Sequence, residues 1–516
     1  MDAVMADADD WTGAASHGST GSREDVTGPL LSASISGRSP RPLRLYAVTT
    51  TDPAKTWRPR YDAMVERVQS EYRTIPPGAP VRLAKRTSNL FRARSATTTP
   101  GLDVAAFDGV LEVDPDARTA EVLGMTTYEH LVDATLPHGL MPLCVPQLRT
   151  ITLGGAVTGL GIESASFRNG VPHESVLEMD VLTGAGEVLT ITPAPDDPNR
   201  DLFFGFPNSY GSLGYALRLK IELEPTKPYV LLRHLRFDTA SELTAALARI
   251  ADERVFEGRP VHFLDGTVFS ADEQYATIGT MVEKPPGGLR PSDYTRMGIY
   301  YRSIRERTVD VLTIHDYLWR WDTDWFWCSR AFGAQKPLVR RLWPKAKLRS
   351  DVYWKLIALD RRYQFAARSA RLRGKPPREA VVQDIEVPID RLPDFLDFFH
   401  HEVGISPIWV CPLRQRDPEA RWPLYEFDPE QLYVNVGFWS TVALPAGADP
   451  DEGRVNRRIE EVVTALDGRK SLYSTAFYDQ GTFWSIYGGT VYEPLKHQYD
   501  PDGRLKDLYA KVVQQQ

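Results

Sequence analysis

The stretch Pro146-Gln-Leu-Arg-Thr-Ile-Thr-Leu-Gly-Gly-Ala-Val-Thr-Gly-Leu-Gly-Ile-Glu-Ser164 sets Gly154, Gly155, Gly159 and Gly161 within eight residues. With no Cβ in the way, backbone at such positions can close on a ligand, and successive N–H groups in tight turns form a nest for an anion such as a pyrophosphate. The spacing G-G-x-x-x-G-x-G is not the G-x-G-x-x-G of a dinucleotide-binding βαβ unit, and no helical pattern follows it. Residues 176–192 follow instead and read as a β-hairpin around Gly184 and Gly186. A phosphate-bearing cofactor held by a loop that feeds a strand meander fits this order. Taken alone, the segment reads better as a structural turn, so its context has to decide.

That context is a mixture of strands and helices. Residues 53–72 carry apolar side chains at helical spacing and stop before Pro76-Pro77-Gly78. Strand-like pieces follow at Val81–Ala84, Gly109–Asp114 and Thr119–Leu123, and then a helix over Thr127–His138 that Thr126 or Thr127 would cap. Tyr215–Pro225 alternates sides as a half-buried strand and ends at its proline. A new unit opens near Lys227, with a strand from Tyr229, a helix over Ser241–Arg254 and an aromatic–basic region at 315–357. The pattern predicts an α+β chain with a leader over 1–40, a first domain over 41–226, a second over 227–465 and a C-terminal segment over 466–516.

Composition excludes several classes. A net charge of −7 argues against nucleic acid as a partner, because a phosphate binder carries a basic excess. Cys144, Cys328 and Cys411 are far apart, with no C-x-x-C, so they read as reduced thiols rather than a disulfide framework or a metal site. The first forty residues are acidic and rich in small residues, lack the basic and apolar regions of a signal peptide, and read as disordered. No apolar run approaches the ~20 residues of a spanning helix, so a cytoplasmic protein, at most peripheral at the inner face of the membrane, is expected.

Thr152-Leu-Gly-Gly and Gly159-Leu-Gly-Ile-Glu-Ser164, then Asp201-Leu-Phe-Phe and Tyr210-Gly-Ser-Leu-Gly214, resemble the FAD-binding domain of the vanillyl-alcohol-oxidase/p-cresol-methylhydroxylase (PCMH) superfamily. Val381-Val-Gln-Asp-Ile-Glu-Val-Pro388 and Ser406-Pro-Ile-Trp-Val-Cys-Pro412 are similar to the Δ24-sterol reductase branch. The resemblance runs from about Tyr72 to the C-terminus. It implies a PCMH-type FAD domain with an inserted α/β cap domain that meets substrate, and a C-terminus that packs back on the FAD domain. The implied cofactor contacts are Thr152, Leu153, Gly154, Gly155, Ala156, Val157, Thr158, Gly159, Leu160, Gly161, Ile162, Glu163, Ser164, Gly211 and Gly214. Where many relatives have a glycine-rich first phosphate loop, this chain reads Ala84-Lys-Arg-Thr-Ser-Asn-Leu-Phe91, and Lys85 and Ser88 would donate to phosphate there. That segment has no histidine or cysteine to tether a flavin, so the resemblance implies dissociable FAD, with NAD(P)H as electron donor.

The branch reduces an unactivated C=C, which needs a proton as well as hydride and therefore a general acid in a dry pocket. Asp384 is the first candidate, in a strand position where superfamily relatives set a carboxylate toward the flavin, with Gln383 on the opposite face. Glu163, inside the glycine loop, is the second. The expected substrate is a lipid, a methylene-branched fatty acyl chain ahead of a Δ24-sterol side chain. A sugar-alcohol or lactone oxidase and a non-catalytic flavin fold are the alternatives. Residues 315–347, where tryptophans interleave with Arg and Lys, suit either a headgroup interface or a cap with buried aromatics.

Overall fold

Two antiparallel sheets organise the chain in the computed structural model, which describes residues 54–85, 91–92, 101–363 and 374–514. The leader over 1–40 and Ser88 lie outside the described residues. After helix α1 (Ala54–Thr74), the first sheet is made of β1 (Val110–Asp114), β2 (Thr119–Leu123), β4 (Val176–Thr183), β5 (Val188–Ile191) and β6 (Gly214–Pro225), in the order β1-β2-β6-β4-β5. The short β3 (Leu140–Pro142) pairs with the end of β6. Alternation along β6 buries Leu219, Ile221 and Leu223, and α2 (Tyr128–Thr135) covers the same core with Leu131 and Val132. The cap on α2 is Thr127, whose Oγ1 accepts the His130 N–H.

The glycine segment departs from the expected loop. Leu153–Thr158 is a short helix, α3, capped by Thr152, whose Oγ1 accepts the Gly155 N–H at 3.2 Å. Leu153, Ala156 and Val157 recur at i, i+3 and i+4 and are buried, so helical spacing is present among the small residues. None of the four glycines takes a left-handed φ; they serve close approach. A Cβ on Gly154 would stand 2.7 Å from the Gly124 carbonyl oxygen, and one on Gly161 would meet the Pro172 and Pro146 rings at 2.9 and 3.0 Å.

The second sheet contains β7 (Tyr229–Phe237), β8 (Phe263–Ser270), β9 (Glu273–Val282), β10 (Val309–Thr313), β11 (Arg378–Pro388), β12 (Ile408–Leu413), β13 (Tyr433–Ala443) and β14 (Arg469–Lys470). Its order is β10-β7-β9-β8-β12-β13-β11-β14. One face is covered by α4 (Ala240–Glu253), α7 (Leu392–Phe398) and α8 (Arg454–Ala465), which pack Leu243, Leu247, Ile250, Phe395, Ile459 and Val463 against Val381, Ile385, Val387, Val434 and Val436. Thr239 caps α4, and Leu243, Leu247 and Ile250 line up at helical spacing. The other face turns toward the first domain. Because β14 pairs with Ile385 and Glu386 of β11, this sheet runs past residue 465, where the sequence pattern ends the cap.

From there α9 (Gln480–Ile486), α10 (Gly489–Tyr499) and α11 (Leu508–Val512) return to the first domain. Lys496 Nζ donates to the Ser212 carbonyl at 2.9 Å, and Tyr499 OH donates to Asp201 at 2.7 Å. Lys511 Nζ donates to the Gly211 carbonyl at 2.6 Å. No described helix is long and apolar enough to cross a membrane. Among the described residues no cluster of His, Cys, Asp or Glu could hold a metal ion.

Candidate active site

A cavity of about 570 Å³, in the range of small-molecule sites, is lined by both domains and the C-terminal segment. The first domain contributes the run from Pro146 through Thr152, Arg149 excepted, and then Gly155, Ala156, Thr158, Gly159, Leu160, Gly161 and Ile162. Arg82, Lys85, Lys506 and Lys511 add cationic side chains. The second domain adds Trp325, Phe326, Asp384, Trp409 and Trp439, and Tyr473 follows it.

Asp384 owes its place to strand alternation. Gln383 points to the helix-covered face, where its amide donates to Asn456 of α8. Val382, Asp384 and Glu386 point the other way, opposite Trp439, Gly437 and Asn435 of β13. Gly437 makes the room: a Cβ there would lie 2.4 Å from Asp384 Oδ1 and 2.6 Å from the Trp439 ring. Asp384 is partly accessible, and what it faces is the cavity. The Tyr473 hydroxyl and Asn435 amide are beside it, yet its buried Oδ1 makes no well-formed hydrogen bond, and among the described residues no cation pairs with it. Burial away from water pushes its pKa up to about 8, so at neutral pH the group is mostly a protonated acid.

Aromatic rings enclose it. Trp439 Nε1 donates to Tyr473 OH at 3.0 Å, which turns the indole along the cavity wall. Phe326 lies 4.3 Å from Trp439 and 5.5 Å from Trp409 between ring centroids, and Phe91 stacks on Trp325 at 5.6 Å. Trp325 and Phe326 both take a left-handed backbone, φ 45° and 59°, which is costly for bulky residues. Their N–H groups are held by the Asp322 and Trp321 carbonyls at 3.0 and 2.7 Å. Asp322 is itself buried against Arg149 and Ser350, and Asp324 against Arg340 and Ser329, so the turn is pinned from both sides.

This corrects the headgroup reading for the tryptophans. Trp319, Trp321, Trp325 and Trp327 are all buried, and Arg320 is buried beside them, paired to Asp265 at 2.7 Å. Trp321 and Trp409 also donate to Asp265, at 3.3 and 3.2 Å.

The other proposed residues divide. Lys85, Thr152, Gly155, Ala156, Thr158, Gly159, Leu160, Gly161, Ile162 and Gly211 line the cavity. Leu153, Gly154 and Val157 do not, because they form the side of α3 that presses on the sheet. Gly214 is spent on sheet packing, where a Cβ would stand 2.6 Å from Val181 Cγ1. Glu163 and Ser164 lie behind the cavity. The Glu163 carboxylate accepts the Ser164 hydroxyl and the Ala165 N–H, both at 2.9 Å, so the loop uses it internally. Burial raises its pKa to about 7 against the nearby Arg320 charge.

Reading the residues alone missed Gln147, Tyr210, Trp409, Gly437, Trp439 and Tyr473. Gln147 sits in the glycine segment itself, and Gly437 and Trp439 share a face of β13 by alternation, a signal that was available. Tyr473 carries none.

A flavin nucleotide fits what is present. Gly155 lacks the Cβ that would crowd Thr152 Oγ1 (2.8 Å) and approach Lys85 Nζ (3.9 Å), so the backbone of α3 meets the cavity close to a hydroxyl and a cation suited to phosphate. Gln147 has both its amide nitrogen and oxygen buried and unpaired at the wall, and Tyr210 its hydroxyl, polar groups of the kind a ligand satisfies.

A family model described as "FAD binding domain" matches residues 65–192. The Delta(24)-sterol reductase of Homo sapiens is 24% identical over 423 residues, covering 78% of this chain and 76% of its own length. The Arabidopsis thaliana protein of the same name is 22% identical over 435 residues, covering 80% and 76%. Cytokinin dehydrogenase 5 of Oryza sativa subsp. japonica matches 30% of this chain at 31% identity. The chain is an FAD-dependent oxidoreductase of the PCMH-type superfamily, similar to the Δ24-sterol reductases.

Proposed function

We propose that the protein reduces an isolated carbon–carbon double bond of a lipid, with NAD(P)H as the source of electrons and FAD bound without a covalent link. The observation that carries this reading is Asp384: a carboxyl raised to about 8, with an unpaired Oδ1, in an aromatic part of the cavity. An alkene has no carbonyl to polarise, so its reduction depends on an acid that still holds its proton at neutral pH. FAD, once reduced by NAD(P)H, would supply the hydride. Asp384 donates its proton to the less substituted carbon, the electron pair of the double bond forms the new C–H bond, and the tertiary carbon is left to accept hydride. Asp384 is then a carboxylate and regains its proton before the next turnover. The faces of Trp325, Phe326, Trp409 and Trp439 exclude water and present π density to the positive carbon. Non-covalent FAD is supported by the absence of histidine and cysteine among the described cavity residues.

Two lipid classes meet this chemistry, a Δ24-sterol side chain and a methylene-branched acyl chain, since either yields a tertiary centre on protonation. The names of the relatives favour the sterol. An alcohol or lactone oxidase would want polar and basic groups around the acid, where this chain has indole and phenyl rings.

The test is anaerobic. NADPH should bleach the flavin, and mixing with a Δ24-sterol or a methylene-branched phospholipid should restore its colour. If neither lipid does so while air reoxidises the flavin rapidly and a sugar lactone bleaches it, the protein is an oxidase and the proposal fails.

A further inference from the structure

Helix α5 (Pro337–Leu342) is built inside out. Its Arg340 is 3% exposed, whereas Leu338 and Leu342, one turn apart, are 78% and 83% exposed. The inward arginine is not a stray. Arg340 Nη1 pairs with buried Asp324 at 2.7 Å, and its other nitrogens donate to the carbonyls of Tyr294 and Gly298 at 3.0 and 2.7 Å and to that of Arg296. These bonds fix the rotation of α5, so the leucines are held outward rather than left there by a loose helix. They also bring Met297, 52% exposed, next to the helix. Leu338 and Leu342 therefore stand in solvent together, with Met297 exposed on the neighbouring segment, where single exposed large apolar side chains are the rule.

The charge around them is of one sign along the chain. From Arg330 to Arg349 the sequence has seven basic residues and no acidic one, in a chain of net charge −7. Lys336, Arg341, Lys345 and Lys347 are exposed beside the leucines. The acid facing them from another element is Asp293, already paired with Arg296 at 2.9 Å and close to Lys345. Exposed leucines ringed by Lys and Arg match the boundary of an anionic bilayer, where apolar tips enter the acyl region and cations meet lipid phosphates.

The patch is also connected to the cavity. Trp343, just past α5, packs on Tyr353 of α6 (Ser350–Tyr363) at 6.2 Å. The next residue, Trp354, packs on Phe91 and Trp325 at 4.9 and 5.8 Å, and both of those line the cavity. One helix thus touches the surface patch with one ring and the aromatic part of the cavity with the next.

We infer that Met297, Leu338 and Leu342, with Lys336, Arg341, Lys345 and Lys347, form a docking surface for an anionic lipid bilayer. The inference rests on this surface and not on the reaction, and its test needs no turnover.

The full-length, FAD-loaded protein is floated with vesicles of pure phosphatidylcholine, and with vesicles of equal parts phosphatidylcholine and phosphatidylglycerol. It should bind the anionic vesicles and release them as salt is raised, each cation near the surface contributing about fivefold. Leu338→Ser with Leu342→Ser should reduce binding at least tenfold. Lys345→Glu with Lys347→Glu should do so by a similar factor while leaving the flavin spectrum and melting temperature unchanged. All these side chains are exposed, so none of the changes should unfold the chain. Wild-type protein that stays unbound, or a leucine variant that binds equally well, overturns the proposal. It is overturned equally if the leucine variant's main effect is to dissociate a dimer in sedimentation, because the patch then covers a second copy of the chain.

Discussion

The lining around Gly155 and the lining around Asp384 serve one cavity by opposite physical means. Around Gly155 the chain withholds side chains and supplies cations: a missing Cβ, the Thr152 hydroxyl, and Lys85 nearby. Around Asp384 it supplies bulk, with four Trp or Phe rings and Tyr473, and no cation pairs with the acid. Phosphate is held where backbone can approach and positive charge is at hand; a carboxyl keeps its proton where water is displaced and no cation compensates it. The contrast is between a wall stripped of side chains, suited to a phosphate, and a wall packed with rings, which keeps the proton on the acid.

The first way to break this contrast is Gly155→Glu. A carboxylate in that space removes room and repels phosphate, so FAD binding should be abolished, read as loss of the visible flavin spectrum in protein that remains folded by circular dichroism. Stoichiometric FAD in that variant would mean that the phosphates lie elsewhere. Asp384→Asn comes next. It retains shape but carries no transferable proton, and reoxidation of the reduced flavin by alkene should fall by about 10²–10⁴-fold. Bleaching by NADPH should stay near the wild-type rate, and a variant that slows bleaching instead would assign Asp384 to nicotinamide or to the fold.

The pH dependence sharpens the same point. Because the raised group must be protonated to act, alkene-dependent reoxidation should be flat near neutrality. Above about pH 8 it should decline roughly tenfold per unit, as the acid form becomes the minor one. The linkage has the same sign for stability but an earlier window: a carboxyl raised on folding favours the fold when protonated, and this contribution is lost progressively as pH rises from about 4, the ordinary carboxyl value, to about 8. Asp384→Asn should flatten both profiles. The smallest effect is expected from Glu163→Gln, whose carboxylate serves its own loop. Activity should stay within about threefold of wild type, and a loss comparable to that of Asp384→Asn would overturn the division between the two carboxyls.

Much of the scaffold could be read from periodicity. The strands at 110–114, 119–123 and 214–225 and the helix over 240–253 lie where apolar alternation or helical spacing sets them. Asp384 and Gln383 are placed on opposite sides of one strand by the same rule. What escaped depends on contacts distant in sequence. Helix α3 is hidden because glycines dilute its apolar spacing, although Thr152, Leu153 and Val157 spell a cap and a stripe. The burial of Trp319, Trp321, Trp325 and Trp327 turns on Asp265, Asp322 and Asp324 finding arginine partners, which no local pattern reports. Tyr473 reaches the acid only because β14 adds to the sheet beyond the expected end of the cap.

Lys511, which donates to the Gly211 carbonyl from 300 positions further along the chain, has a consequence for the order of events during synthesis. At the usual ~5–20 residues per second, the glycine segment and its sheet emerge from the ribosome about 15–60 s before this closing contact exists. Until then the cavity lacks Lys506, Lys511 and Tyr473 from its wall. Cofactor capture is therefore expected once α11 has joined the cavity wall, rather than as a step that nucleates the first sheet, and nascent chains arrested before α11 should carry no FAD.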